Sequence, residues 1–158
     1  MMTGMIFSFG PRLTGGGARP LVEGRPGVRW AADGKQMVYI VGGGLLGDNI
    51  ILADGDGQNA REIVKRTGAR HIHWLRWAPD RRFVYFNYGV ISGNTEKTEI
   101  FRASIPDGRL EAVVHTARRA VFPIPSPDGR GLFYSANPDS LDLGLWWRDL
   151  DSERAVRV

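Results

Sequence analysis

Pro125-Ser126-Pro127-Asp128-Gly129, followed by the apolar run Leu132-Phe133-Tyr134, reads as a tight turn that feeds a short strand. The same sentence occurs twice more upstream. Trp77-Ala78-Pro79-Asp80-Arg81 precedes Phe83-Val84-Tyr85-Phe86, and Trp30-Ala31-Ala32-Asp33-Gly34 precedes Met37-Val38-Tyr39, at spacings of 48 and 47 residues. In the last copy, proline presets φ for the first central position of a type I turn and aspartate suits the second. Glycine then supplies the positive φ of a bulged hairpin. Asp54-Gly55-Asp56-Gly57 and Pro106-Asp107-Gly108 repeat that chemistry further along two of the units. The middle copy carries Arg81 where the others carry Gly34 and Gly129, and its turn is expected to be a residue shorter and different in detail.

Each unit divides into four short runs rich in Val, Ile, Phe, Tyr and Trp, bounded by Gly, Pro, Asp and Asn. The predicted strands a to d are Val28 to Ala31, Gln36 to Val41, Asn49 to Ala53 and Ala60 to Val64 in the first unit. In the second they are Ile72 to Trp77, Phe83 to Tyr88, Thr98 to Ser104 and Leu110 to His115. In the third they are Val121 to Ile124, Gly131 to Ser135, Leu145 to Asp149 and Ala155 to Val158. No stretch sustains a 3.6-residue apolar period with caps, so essentially no helix is expected. Self-similarity at this period, with four short strands per unit, is what a β-propeller leaves in its sequence. The expected class is all-β: a partial propeller of about three four-stranded antiparallel blades over 28–70, 71–119 and 120–158. Residues 1–27 make an incomplete N-terminal half-blade, with strands at Met5 to Phe9 and Arg19 to Val22 joined through Gly15-Gly16-Gly17. Three and a half blades fall short of a ring. The expectation is therefore part of a longer polypeptide, with completion by a second copy or an open array as alternatives.

Composition narrows the function classes. At 158 residues, with 42% hydrophobic and 24% charged residues, the chain is of ordinary globular make-up. Its net charge of +4 comes almost wholly from arginine, with three lysines in all, and the arginines are dispersed along the whole length. A nucleic-acid footprint concentrates on one stripe, so no nucleic acid is expected as partner. There is no cysteine, hence neither a disulfide framework nor a thiolate metal site. No basic leader precedes an apolar core at the start and no run approaches membrane-spanning length, so neither a secretory signal nor a membrane span is expected. The compartment stays open.

Trp-x-x-Asp-Gly before an apolar-Tyr strand, then Ile100-Phe101-Arg102-Ala103, then Asp107-Gly108, resembles the TolB-type (WD40-like) β-propeller repeat. Pro125-Ser126-Pro127-Asp128-Gly129-Arg130 is the best match to its Ser-Pro-Asp-Gly signature. The second unit keeps Trp77, Pro79 and Asp80 without the glycine, and the first keeps Trp30, Asp33 and Gly34 without the proline. The resemblance covers about residues 18–158. It implies a propeller whose repeats carry no catalytic residue. Such repeats occur in TolB, which binds proteins in the periplasm, in the gating propeller of prolyl-oligopeptidase-like hydrolases, and in sensor regions of bacterial receptor-like Ser/Thr kinases. The expectation is a non-catalytic protein-binding or domain-docking module, not an enzyme, with no cofactor and no metal. Its partner would be another protein or another domain of a longer parent chain. The two alternatives are a peptidase's gating portion without its catalytic domain, and a kinase sensor region.

Several motifs match known sites in form but lack an essential part. Gly42 to Gly47 matches a dinucleotide fingerprint in form, but the next segment, Asp48-Asn49-Ile50-Ile51-Leu52, predicts a strand where that fingerprint needs a helix N-terminus. Asp54 to Asn59 echoes a calcium loop, yet Lys65 stands where a bidentate glutamate is required. His71 and His73 share a strand face without a third metal ligand, so plain structural use is expected, with channel lining or ligand contact as the alternative. No Gly-x-Ser-x-Gly occurs and the acidic residues sit mostly in turns, so neither hydrolase nor glycosidase chemistry is expected. Trp30 and Trp77 are expected between blades. The adjacent Trp146 and Trp147 must face opposite sides of a strand.

Binding is expected on the rim of long b–c and d–a connections, because variable loops on a rigid scaffold carry recognition. The candidate residues there are Arg66, Arg70, His71, Asn94, Arg118, Arg119, Asn137 and Asp139.

Overall fold

The computed structural model describes residues 5–7, 20–23, 27–42, 47–65, 70–92, 95–116, 118–137 and 143–158. All its regular elements are strands. Three four-stranded antiparallel sheets follow one another along the chain, each a simple meander. The first holds β3 (Arg29–Trp30), β4 (Gln36–Gly42), β5 (Asp48–Asp54) and β6 (Arg61–Val64). The second holds β7 (Arg70–Trp77), β8 (Phe83–Ser92), β9 (Thr95–Ser104) and β10 (Leu110–Val114). The third holds β11 (Ala120–Pro125), β12 (Gly131–Ala136), β13 (Gly144–Asp149) and β14 (Ala155–Arg157). Ahead of them β1 (Met5–Phe7) and β2 (Pro20–Glu23) pair with each other, antiparallel, as the two strands expected there. Gly15 to Gly17 lie outside the described residues.

The alternation of side chains along each second strand builds the core. On β8, Val84, Phe86 and Tyr88 face the first sheet and join Val38, Ile40, Ile50, Leu52 and Val64. Tyr85 on the same strand faces the third sheet and packs with Ile100, Val113, Val114, Leu132 and Tyr134. The two clusters are thus the two junctions of a three-layer stack. A period of 2 along the strand suffices to serve both sides. On β4, Met37 and Tyr39 face the other way and are buried with Ile51 and Ala53.

The turns between first and second strands are alike in all three sheets. Ala31, Ala78 and Ser126 each receive the N–H of the residue three along, at 2.9, 3.0 and 2.9 Å from Gly34, Arg81 and Gly129. Each in turn donates its own N–H to the carbonyl five residues on: Gln36, Phe83 and Gly131. The expectation of a shorter, different turn at Arg81 is therefore corrected. Arg81 adopts the left-handed conformation itself, at φ 61°, beside 69° at Gly34 and 73° at Gly129. Its guanidinium reaches Asp33 of the preceding turn, an interaction that helps hold a side chain where glycine would be easier. The aspartates repeat as well: Asp33, Asp80 and Asp128 accept the N–H two residues on, at 3.0, 2.9 and 3.0 Å.

The tryptophans divide in a way the repeat alone does not reveal. Trp77 packs into the first junction and its Nε1 donates to the carbonyl of Arg29 on the neighbouring sheet at 2.9 Å. Trp30 does not sit between sheets among the described residues. It is exposed, and its Nε1 reaches Gly55 in its own sheet at 3.2 Å. Trp146 packs into the second junction, while Trp147 lies on the opposite face against Phe133, ring centroids 4.6 Å apart.

Candidate functional site

The rim is made of the ends of β4, β5, β8, β9 and β12 together with the starts of β7 and β11. Here one sheet stops and the next begins, and backbone bonds between sheets are few, such as that from Thr98 to Arg118. Polar side chains close the gaps. Asp48, the first residue of β5, is buried, and its Oδ2 accepts the N–H of Ile72 on β7 at 2.9 Å. His71 Nδ1 lies 3.4 Å from the same oxygen. At the second junction Asn87 of β8 is buried and serves β11 twice. Its Oδ1 accepts the N–H of Phe122 at 3.1 Å and its Nδ2 donates to the carbonyl of Ala120 at 3.2 Å. Phe122 and its counterpart Trp74 both take positive φ, 58° and 61°, where β11 and β7 lose register with their partners. That bulge turns both rings outward into an edge-to-face pair at 4.6 Å.

Farther out on the rim, Glu99 of β9 gathers two basic groups: His115 Nδ1 at 3.0 Å and Lys97 Nζ at 3.2 Å, both to Oε1. Burial works against the charged carboxylate. The hydrogen bonds from His115 and Lys97 and their charges outweigh it, so Glu99 titrates below its ordinary range. Thr98 beside it is buried and donates its N–H to the carbonyl of Arg118 at 3.1 Å, tying the second sheet to the approach of β11.

The structure brings four of the proposed rim residues into this network. His71 meets Asp48 as above. Arg119 donates its N–H to Asn137 Oδ1 at 3.1 Å and receives the N–H of Asn137 at 3.2 Å, so the two clasp the start of β11 to the end of β12. Asn137 is buried by this, which makes it a structural tie more than a contact surface. Arg118 has an exposed side chain and offers its carbonyl to Thr98. Arg70 lies on β7, opposite Val90. Arg66, Asn94 and Asp139 lie outside the described residues. Sequence reasoning missed Asp48, Asn87 and Glu99. Asn87 sits inside an otherwise apolar strand run, which was the available signal: a polar residue on a core-facing strand position requires a partner, whereas Asp48 stands at a strand start beside Asn49 and gave no such signal.

Asp48–Asp54 is a strand, so no helix N-terminus follows Gly47. Asp54 to Asn59 is a turn stitched by Asn59 Nδ2 to Asp54 Oδ2 at 2.6 Å and by Gln58 N–H to Asp56 at 3.0 Å. The rings of His71 and His73 are 6.4 Å apart. Among the described residues no group of three or more His, Cys, Asp or Glu side chains could hold a metal ion, and no helix is long and apolar enough to cross a membrane.

No protein-family model and no curated protein matches the chain. Solved structures do. TolB from Acinetobacter baumannii superposes with a TM-score of 0.68 at 16% identity, covering 92% of this chain and 35% of that one. The structure of a putative TolB from Agrobacterium tumefaciens gives 0.65 at 23% identity, covering 91% of this chain and 53% of that one. An oligogalacturonate lyase in complex with manganese gives 0.67 at 14%, covering 90% and 39%. The chain therefore has the TolB-type β-propeller repeat fold. It spans about a third to a half of the length of these similar structures.

Proposed function

We propose that the chain is a non-catalytic propeller segment, with blades over 28–70, 71–119 and 120–158, that binds protein partners or docks to another domain. One observation carries this reading. Nearly the whole chain superposes on part of proteins as differently named as TolB, an oligogalacturonate lyase and prolyl endopeptidases. What those proteins share with it is the scaffold, and a fold common to differently named proteins does not by itself carry a reaction. The rim offers the means: Lys97 and Glu99 on β9 and His115 and Arg118 in the connection from β10 to β11 stand beside strands held by Asp48, Asn87 and Asn137. Charged groups on a rigid base suit an extended acidic or polar peptide.

Peptides selected for binding to the chain test it directly. Their affinity should fall at least about tenfold in Lys97→Glu/Arg118→Glu, the loss of roughly 1.4 kcal/mol that two rim charge reversals readily produce. Selected peptides indifferent to that variant would remove the rim from the reading.

A second reading, the propeller portion of a prolyl-oligopeptidase-like hydrolase, is favoured by the similarity to prolyl endopeptidases, whose chains are matched over 24% of their length at 14% identity. Under either reading the purified chain does not hydrolyse proline-containing peptides. Turnover that persists through purification and disappears in a rim variant defeats both.

A further inference from the structure

The first strands of the three sheets carry side chains that the packing of sheet on sheet leaves unused. Arg29 on β3 and Arg76 on β7 hold the same place, opposite Val38 and Tyr85 of the second strands. Trp77 Nε1 reaches the Arg29 carbonyl, so the two arginine positions lie side by side. Both residues are half-buried. Each turns one Nη1 donor back onto the carbonyl before it, Val28 at 2.9 Å and Leu75 at 3.0 Å. Neither meets a carboxylate among the described residues. Arg102 and Arg148, also half-buried, each hold one, Glu111 and Glu153. Burial and the Arg29 charge push the Arg76 guanidinium below its ordinary value. Like charges brought together away from water repel until an anion joins them. Two residues before Arg76, Trp74 forms its edge-to-face pair with Phe122 of β11. The two rings are 47% and 40% exposed, although Leu75 and Pro123 beside them are buried. Both backbones are left-handed, which bulky residues avoid, and strain of this kind gathers at ligand sites.

We infer that the Arg29–Arg76 pair and the Trp74–Phe122 rings form one site for a carboxylate borne close to an aromatic ring, the chemistry shared by a peptide's C-terminal Phe and a free aryl acid. The site is separate from the rim charges and does not depend on the rim reading. Three features fix the ligand. Guanidinium forks match a carboxylate with two hydrogen bonds each, and do so best where water is thin. The β11 side of the site is apolar, because Ile124 stands opposite Phe133 where the other sheets place their arginines. A ligand spanning the site is therefore anionic at one end and apolar at the other. Arg76 and Trp74 are two residues apart on one strand, no more than about 7 Å between Cα atoms. That short step selects a ligand whose charge is next to its ring, and an edge-to-face pair leaves ring faces open to a third ring.

Titration of the chain with 3-phenylpropionate and with acetyl-Gly-Gly-Phe tests this, followed by NMR at the Trp74 indole N–H. That signal is assigned by its loss in Trp74→Gly, a change that also relaxes the left-handed backbone. Both probes should shift it to saturation. The amide of the same peptide should bind at least about tenfold more weakly, and so should either acid to Arg29→Gln/Arg76→Gln. A peptide that binds tighter than phenylpropionate identifies a polypeptide C-terminus as the source, and the reverse order a free acid. Lys97→Glu/Arg118→Glu should leave both affinities unchanged, which keeps this test apart from that of the rim. No saturation by either acid, equal binding of acid and amide, or indifference to the double arginine variant overturns the inference. Inorganic phosphate displacing phenylpropionate at equal concentration overturns it too, because the rings would then contribute nothing.

Discussion

The two ends of these sheets are built on different principles. At the turn end, the backbone does the joining, and it does so identically three times. Beyond the turn hydrogen bonds, Gly55, Ile105 and Leu150 each donate an N–H to Lys35, Arg82 and Arg130, at 2.8, 2.9 and 2.9 Å, linking the two turns of each sheet. At the rim end, side chains reinforce the joining between sheets, beside a backbone bond from Thr98 to Arg118, and each junction uses a different one: Asp48 in the first, Asn87 in the second. Backbone bonds survive a change of residue, so the turns stay the same while Gly34 becomes Arg81. A side-chain tie is lost with one substitution. The rim is therefore free to diversify and is also the fragile end.

The largest expected effect breaks the rim. Asn87→Leu leaves the Phe122 N–H and the Ala120 carbonyl without partners in a buried junction, which should cost about 3 kcal/mol. Urea unfolding followed by tryptophan fluorescence measures it. A loss below about 1 kcal/mol would mean that water satisfies both groups and that the junction is held by packing alone.

At the turn end the expected effects are smaller and opposite in sign at equivalent positions. Gly129→Ala puts a side chain at φ 73° with no atom within 4 Å of the new Cβ, so the cost is conformational, about 1 kcal/mol. Arg81→Gly relieves the same conformation at the cost of an exposed ion pair to Asp33, for a net gain of about 0.5 kcal/mol. Thermal midpoints moving in the same direction would show that the two turns are not equivalent after all.

This division also explains what was legible in the sequence. Every strand of the three sheets was readable to within a few residues, because turn chemistry and alternating apolar residues act locally and recur. The conformation at Arg81 was misread for the converse reason. Glycine is the usual sign of positive φ, yet the hydrogen-bond pattern around the turn imposes it on arginine. The rim network was only partly legible. Their place in the connections marked His71, Arg118, Arg119 and Asn137 as binding candidates on the rim, whereas Asp48 and Asn87 act across sheets. Nothing within 20 residues of Asp48 names Ile72 as its partner. Such pairings belong to the packing of one repeat on the next, which no local pattern encodes.

Acid sensitivity gives the smallest expected effect and the finest distinction between the ends. Asp107, Asp128 and Asp149 at the turn end titrate low because Ser104, Ser126 and Ser152 and nearby backbone N–H groups donate to them. Glu99 titrates low at the rim, where His115 and Lys97 overcome its burial. A carboxylate whose folded value is depressed contributes stability that is fully present above its ordinary value, here 4.5 for Glu99, and is lost as pH falls through the folded value. Thermal midpoints should therefore decline below that pH, and Glu99→Gln should remove part of the decline while leaving the midpoint above it slightly lower. Salt separates the two contributions. The Glu99 share depends on two opposite charges and should shrink as ionic strength rises, whereas the turn aspartates, held chiefly by neutral donors, should keep theirs. A decline that is unchanged in Glu99→Gln at every salt concentration would place the acid sensitivity wholly at the turn end.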